Sequence, residues 1–251
     1  MAEDVICLLD YLGWTGDREL TIVGISLGGM IAQELAFRIP NRICSLVLAV
    51  TTPGGPIWGN FPPLAGLLAL TKLVFTPDPV KKVWTVLPML FPLAWLGERA
   101  VTDPHAEFNG NTPDNAKAKT NYDVQAEGFL RRVAITKPQL FLGHISQMAA
   151  ALTHSVSRAR LAHIARTIPK IALVTGDDDH LVRPVGSERI KVAMDAGLKV
   201  DDRTRVELLR WEETGHGIHA QREGEFNELV ERCMREGRAL LDAGWTPTRD
   251  A

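Results

Sequence analysis

One five-residue stretch constrains this chain more than any other. Gly24-Ile25-Ser26-Leu27-Gly28, followed by Gly29, lies between two segments of opposite character. Leu20–Ile25 is a short apolar run rich in β-branched residues and reads as a buried strand. Leu27–Ile39 begins at once and reads as a helix, with Ala32, Leu35 and Ala36 on its packing side and Pro40-Asn41 at its end. A bare Gly-x-Ser-x-Gly arises by chance in about one chain in ten of this length. Its position between strand and helix makes it specific: the chain must reverse sharply there, leaving a serine in a strained conformation with its hydroxyl projecting. Side chains at 24 and 28 are expected to crowd that turn. The helix start supplies unpaired N–H groups and a positive dipole end beside the hydroxyl. Leu27 N–H is thereby placed to bind an oxyanion. The alternative is a tight glycine turn in a non-catalytic βαβ unit.

The rest of the chain fits a parallel sheet interrupted once. An amphipathic helix carrying Val5, Leu8, Leu9 and Leu12 and stopped by Gly13 precedes the first strand. Ser45–Thr52 is a second buried strand, so the opening is a βαβ unit. From about 55 to 168 the pattern becomes short apolar helices broken by prolines. This stretch includes a polar loop over Thr102–Asp123 and helices over Gly143–Leu152 and Ser157–Thr167. Alternation then resumes with strand Ile171–Thr175, helix Ser187–Gly197, strand Arg205–Trp211 and a last helix over Glu223–Ala243. The expected fold is an α/β, mostly parallel doubly wound sheet. Residues 1–54 and 169–251 form its core, and 55–168 form an inserted helical cap.

A serine hydroxyl needs a base, and the base needs an orienting acid. Doubly wound sheets present such groups just past the carboxyl ends of their strands. The strand Ile171–Thr175 is followed by Gly176-Asp177-Asp178-Asp179-His180-Leu181-Val182-Arg183-Pro184, and the strand Arg205–Trp211 by Thr214-Gly215-His216-Gly217-Ile218-His219. Serine, acid and histidine thus follow in that order. The residues alone leave the acid open among the three aspartates. The bland reading is a solvated turn of three aspartates. His216 is preferred to His219 for its flanking glycines and its closeness to the strand end; His180 is given no role.

On these residues the chain resembles the α/β-hydrolase superfamily, in its esterase, lipase and cofactor-free peroxidase-like branch. Ser26 matches the family's elbow serine. Gly176, Asp179, Leu181, Val182 and Pro184 match its acid segment, and Gly215-His216 its histidine segment. The resemblance makes Asp179 the first choice of acid, with Asp178 next. The resemblance covers nearly the whole core. It implies a Ser26–His216–Asp179 triad acting on a small-molecule ester or related carbonyl through an acyl-enzyme, with Leu27 in the oxyanion hole and neither cofactor nor metal. A serine at the elbow argues against the family's epoxide hydrolases and haloalkane dehalogenases, which carry aspartate there. Carbon–carbon bond hydrolysis is a further reading on the same fold.

The same resemblance implies something missing. Family members have several strands, a helix and usually a His-Gly segment before the elbow, whereas 25 residues precede Ser26 here and the sole His-Gly pair is His216-Gly217. Roughly the first third of the usual core is therefore expected to be absent, leaving Leu20–Ile25 as an open apolar edge that invites pairing with another chain. One oxyanion donor fewer costs about 10²–10³ in turnover. The expectation is a poorly soluble, weakly active chain. Its rival is a non-catalytic relative that binds an apolar ligand or a partner chain.

Composition excludes other classes. With 28 basic and 30 acidic residues and no long basic run, nucleic acid is not an expected partner. Ile57–Leu96 is the most apolar stretch, but Pro62, Pro63, Pro77, Pro79, Pro88 and Pro92 break it, so no stable membrane insertion is expected. It reads as cap helices packed on the core or as a lid, with Trp58, Phe61, Leu67, Leu70, Trp84 and Phe91 among its apolar residues. Cys7, Cys44 and Cys233 are odd in number without metal-like spacing and fit a reducing, cytoplasmic setting; no signal peptide is visible over residues 1–12. His105, His144, His154 and His163, with Asp103, Glu107 and Asp123, lack the spacing of a metal site, and no glycine loop has dinucleotide-binding spacing.

Overall fold

β-Branched and leucine-rich runs without charges have to be buried on both faces, and the sheet shows why. The computed structural model describes residues 1–57, 61–76, 78–100, 119–137 and 140–248. Four strands, β1 (Leu20–Ile25), β2 (Ile43–Ala49), β3 (Lys170–Gly176) and β4 (Val206–Trp211), pair in parallel in the order β1-β2-β3-β4. Every position of β2 and β3 is buried. Side chains alternate between faces. Leu46, Leu48, Ile171 and Leu173 enter one core cluster, while Val47, Ala49, Ala172 and Val174 enter another.

Helices cover the two faces unequally. The first cluster is closed by α1 (Ala2–Tyr11), α2 (Leu27–Arg38), α8 (Arg158–Thr167) and α9 (Val185–Asp195) through Leu9, Ala36, Ile164 and Met194. Successive crossovers running one way along a parallel sheet, with a common hand, place their helices on one side. After β4 the chain turns through the short α10 (Ile218–Gln221) into α11 (Glu223–Asp242), which closes the second cluster with Phe226, Leu229 and Cys233. α11 packs on β2 and β3. Val23 of β1, on that same face, stays 40% exposed. β1 is thus one of the sheet's two edge strands among the described residues, and Val23 is exposed.

Between β2 and α8 lie α3 (Leu64–Val74), α4 (Pro79–Leu90), α5 (Leu93–Gly97), α6 (Asn121–Ile135) and α7 (Phe141–Thr153). Their own cluster centres on Val83, Leu87, Phe91 and Leu96, with Phe129 and Leu130 of α6 packed against it. α8 falls within 55–168 by sequence but packs between α2 and α9 as part of the sheet's helical layer.

Several expected boundaries move. β2 starts two residues before Ser45 and ends at Ala49 rather than Thr52. The expected loop over Thr102–Asp123 gives way to helix at Asn121, because Thr120 and Asp123 form a capping box that satisfies the first N–H groups of α6. Residues 102–118 of that loop, with Asp103, His105 and Glu107, lie outside the described residues, as do Trp58 and Pro77. No described helix is long and apolar enough to cross a membrane.

Candidate active site

Ser26 sits at the junction of β1 and α2 with φ 56° and ψ −120°, a region that residues with a side chain rarely occupy. Its backbone is held from three sides. Ser26 N–H donates to Ala49 O at 2.9 Å, the Thr51 hydroxyl donates to Ser26 O at 2.9 Å, and Gly29 N–H donates to the same carbonyl. The strain persists because these contacts over-determine it. A Cβ on Gly24 would meet Gly28 O at 2.6 Å and Ala32 Cβ at 2.7 Å, so position 24 must be bare. The expectation for position 28 is corrected: a Cβ there meets nothing within 4 Å. Gly29 is the crowded one, 2.7 Å from the Thr51 side chain. The turn is tight against the loop after β2, and that loop meets the helix one residue later than the motif suggests. Leu27 opens α2, and its N–H has no backbone acceptor among the described residues.

The acid and the histidine meet at the far strands. Asp179 is buried in the loop after β3. Its Oδ1 accepts from Leu181 N–H at 2.8 Å and Val182 N–H at 2.9 Å, which fixes the carboxylate's direction. Its Oδ2 lies 2.8 Å from His216 Nδ1. An ionised carboxylate only accepts, so Nδ1 carries the proton, and in the neutral imidazole Nε2 keeps a lone pair. The other two aspartates point elsewhere: Asp178 pairs with the exposed His180 at 3.1 Å, and Asp177 accepts from Thr214 N–H. His219 is exposed and lies edge-on to Phe226. The His216 loop is braced by Arg222, which donates to the Thr214 hydroxyl at 2.9 Å, and by Gln221, which accepts from Gly215 N–H. The cap holds it too, since Gly217 N–H donates to Leu90 O at 2.8 Å. Among the described residues Ser26 Oγ makes no hydrogen bond to His216; the pair Asp179–His216 is formed and the serine stands apart from it.

A cavity of about 430 Å³ opens on Ser26 and Leu27. Leu67 and Leu70 of α3, Met148 of α7 and Leu181 give it apolar walls. Phe61 also lines it, whereas Trp84 is 73% exposed and faces away. His144 lines the same cavity. His163 packs edge-on against Phe37 at 5.4 Å, and His154 lies at the cap–core junction, where burial lowers its pKa. Three contributors escaped the sequence: Thr51, Leu90 and Arg189. The first acts through a hydroxyl two residues past a strand and the second through a carbonyl. The third is one surface arginine among many, so none carries a motif.

A serine on a strained strand–helix turn and a carboxylate–histidine pair after later strands of one parallel sheet define an α/β fold of hydrolase type. The sequence model of the Alpha/beta hydrolase family matches residues 2–229, and the chain belongs to that family. Solved structures share the fold. A thermophilic esterase from Thermogutta terrifontis aligns over 94% of this chain and 71% of its own at 15% identity and a TM-score of 0.60. A meta-cleavage product hydrolase from Pseudomonas fluorescens IP01 aligns over 94% and 70% at 20% identity and a TM-score of 0.56. A poly(3-hydroxyalkanoate) depolymerase from Ectopseudomonas oleovorans is 30% identical over 76 residues, which span 30% of this chain and only 26% of the depolymerase.

Proposed function

We propose that the protein is a serine hydrolase acting on a small, largely apolar ester or related carbonyl. The observation that carries this reading is the 2.8 Å contact between buried Asp179 and His216, at the same sheet end as the strained Ser26. In the proposed reaction His216 Nε2 takes the Ser26 proton as Oγ attacks the carbonyl carbon. Leu27 N–H stabilises the oxyanion, and Asp179 holds the imidazole and its cation. The acyl–oxygen bond breaks, and the leaving alcohol takes its proton from His216. Water, deprotonated by His216, then attacks the acyl-enzyme and releases the acid. The reaction requires Ser26 Oγ and His216 Nε2 to come within hydrogen-bonding distance in the substrate complex. Hydrolysis of p-nitrophenyl butyrate tests the reading: Ser26→Ala should abolish turnover above background, and unchanged turnover would sink it.

The names of the similar proteins, an esterase, a depolymerase and a meta-cleavage product hydrolase, support hydrolysis, with esters the first substrates to screen; carbon–carbon bond hydrolysis is the alternative chemistry on this fold. The open edge of β1 supports a second reading, a weakly active or non-catalytic chain that self-associates through this strand. Three free thiols, two of them buried, support a reducing, cytoplasmic setting.

A further inference from the structure

Charge in the cavity is one-sided. Among the described residues, the only formally charged side chains lining it are Arg183, in the loop before α9, and Arg189, one turn into that helix. Neither forms an ion pair with a described carboxylate, whereas Arg38, Arg42, Arg160, Arg210 and Arg232 all do. Arg189 spends one N–H on Gly54 O at 3.2 Å and keeps the rest of its guanidinium fork. The carboxylates nearest in sequence are engaged: Asp179 by His216 and two backbone N–H groups, and Glu188 by Arg210 at 3.3 Å.

The placement of these arginines is structural. A Cβ on Gly186 would come within 2.9 Å of Thr52 Cβ and 3.0 Å of Thr51 O. The bare Cα lets the first turn of α9 press on the segment that clamps Ser26 O. α2 and α9 both begin at this cavity, and their positive ends add to the field. Among the described residues the charged side chains of this apolar pocket are two exposed guanidinium groups without an ion pair, which suits a ligand with an anionic end. The planar fork matches a carboxylate.

We propose that the cavity takes a substrate whose apolar chain ends in a free carboxylate, held by Arg183 and Arg189, such as the half-ester of a dicarboxylic acid. The assignment of that substrate to turnover rests on the hydrolase reading of Ser26; the binding does not. At about 30 Å³ per small liquid-packed group, the cavity holds on the order of ten to fifteen non-hydrogen atoms. Monomethyl suberate and methyl octanoate both fit that size and differ in the terminal carboxylate.

Titration calorimetry of the two ligands against the Ser26→Ala chain tests the proposal without turnover. Monomethyl suberate should bind about three- to tenfold more tightly, the range for one charge-assisted contact at a partly exposed site. Arg183→Gln/Arg189→Gln should bring the two affinities together. Arg183→Lys/Arg189→Lys should keep part of the preference, and added salt should shrink it in the parent chain. Equal affinities with the arginines in place, a preference that survives in the Gln pair, or no binding of either ligand would overturn the proposal. Because the Ser26→Ala chain has no nucleophile, none of these outcomes bears on the hydrolase reading, which active-site labelling of Ser26 tests separately.

Discussion

The sheet and the cap are built to different standards. β2 and β3 bury every residue, and both faces carry continuous clusters. In the cap, α6 and α7 contribute no fully buried residue among those described, and the local cluster centres on four. Ser26, Asp179 and His216 all hang from strand ends of the first region. Much of the cavity wall comes from the second. The contrast is a division in packing: Ser26, Asp179 and His216 sit where burial over-determines the backbone, and the cavity is walled largely by more loosely packed helices.

The sharpest way to break this division is at the pair itself. His216→Ala and Asp179→Asn are each expected to lower ester turnover by about 10⁴-fold, with folding retained by circular dichroism. Loss of only a fewfold would mean that the sheet end is not the reactive region. Next in size is packing. Leu173→Ala, in the centre of β3, should lower unfolding free energy by about 2–5 kcal/mol in urea titrations. Leu142→Ala, on α7 and 76% exposed, should shift it by no more than about 0.5 kcal/mol. Equal effects would erase the distinction between the regions.

Smaller effects probe the joints. Burial lowers the pKa of His154 at the cap–core junction. Unfolded His154 therefore takes up a proton that the folded one refuses as pH falls below the ordinary histidine value of about 6.5. Stability should drop below that pH through this group, and His154→Gln should flatten the slope; an unchanged slope would remove His154 as the cause. At the edge of β1, Val23→Lys should reduce self-association in sedimentation without changing the melting temperature much. Smallest is thiol access: Cys7 is exposed, whereas burial pushes the Cys233 thiol up to about 12. Iodoacetamide should modify Cys7 in the native chain and reach Cys44 and Cys233 only on unfolding.

What was legible in the sequence follows the same division. β1 and the start of α2 were readable because a β-branched run, a glycine-flanked serine and a helix start fall in six or seven residues. Asp179 and Asp178 could be ranked only by resemblance; burial and the two N–H donors that separate them are tertiary facts. Gly28 and Gly29 exchanged roles because the crowding comes from Thr51, 22 residues past Gly29. Ser157–Thr167 was readable as a helix, but not the layer it joins, since its apolar stripe fits a sheet face or a cap equally well. The cap's proline-broken helices carry weak periodicity, and Arg183 and Arg189 reach the cavity from α9 and the loop before it, where no motif marks them.

Labelling with a fluorophosphonate probe tests the central claim most directly, because the reagent traps a serine that a base can activate. Covalent modification is expected at Ser26, located by peptide mass spectrometry, and none in Ser26→Ala. Equal labelling of both chains, or an unlabelled Ser26 in the unsubstituted chain, would contradict it.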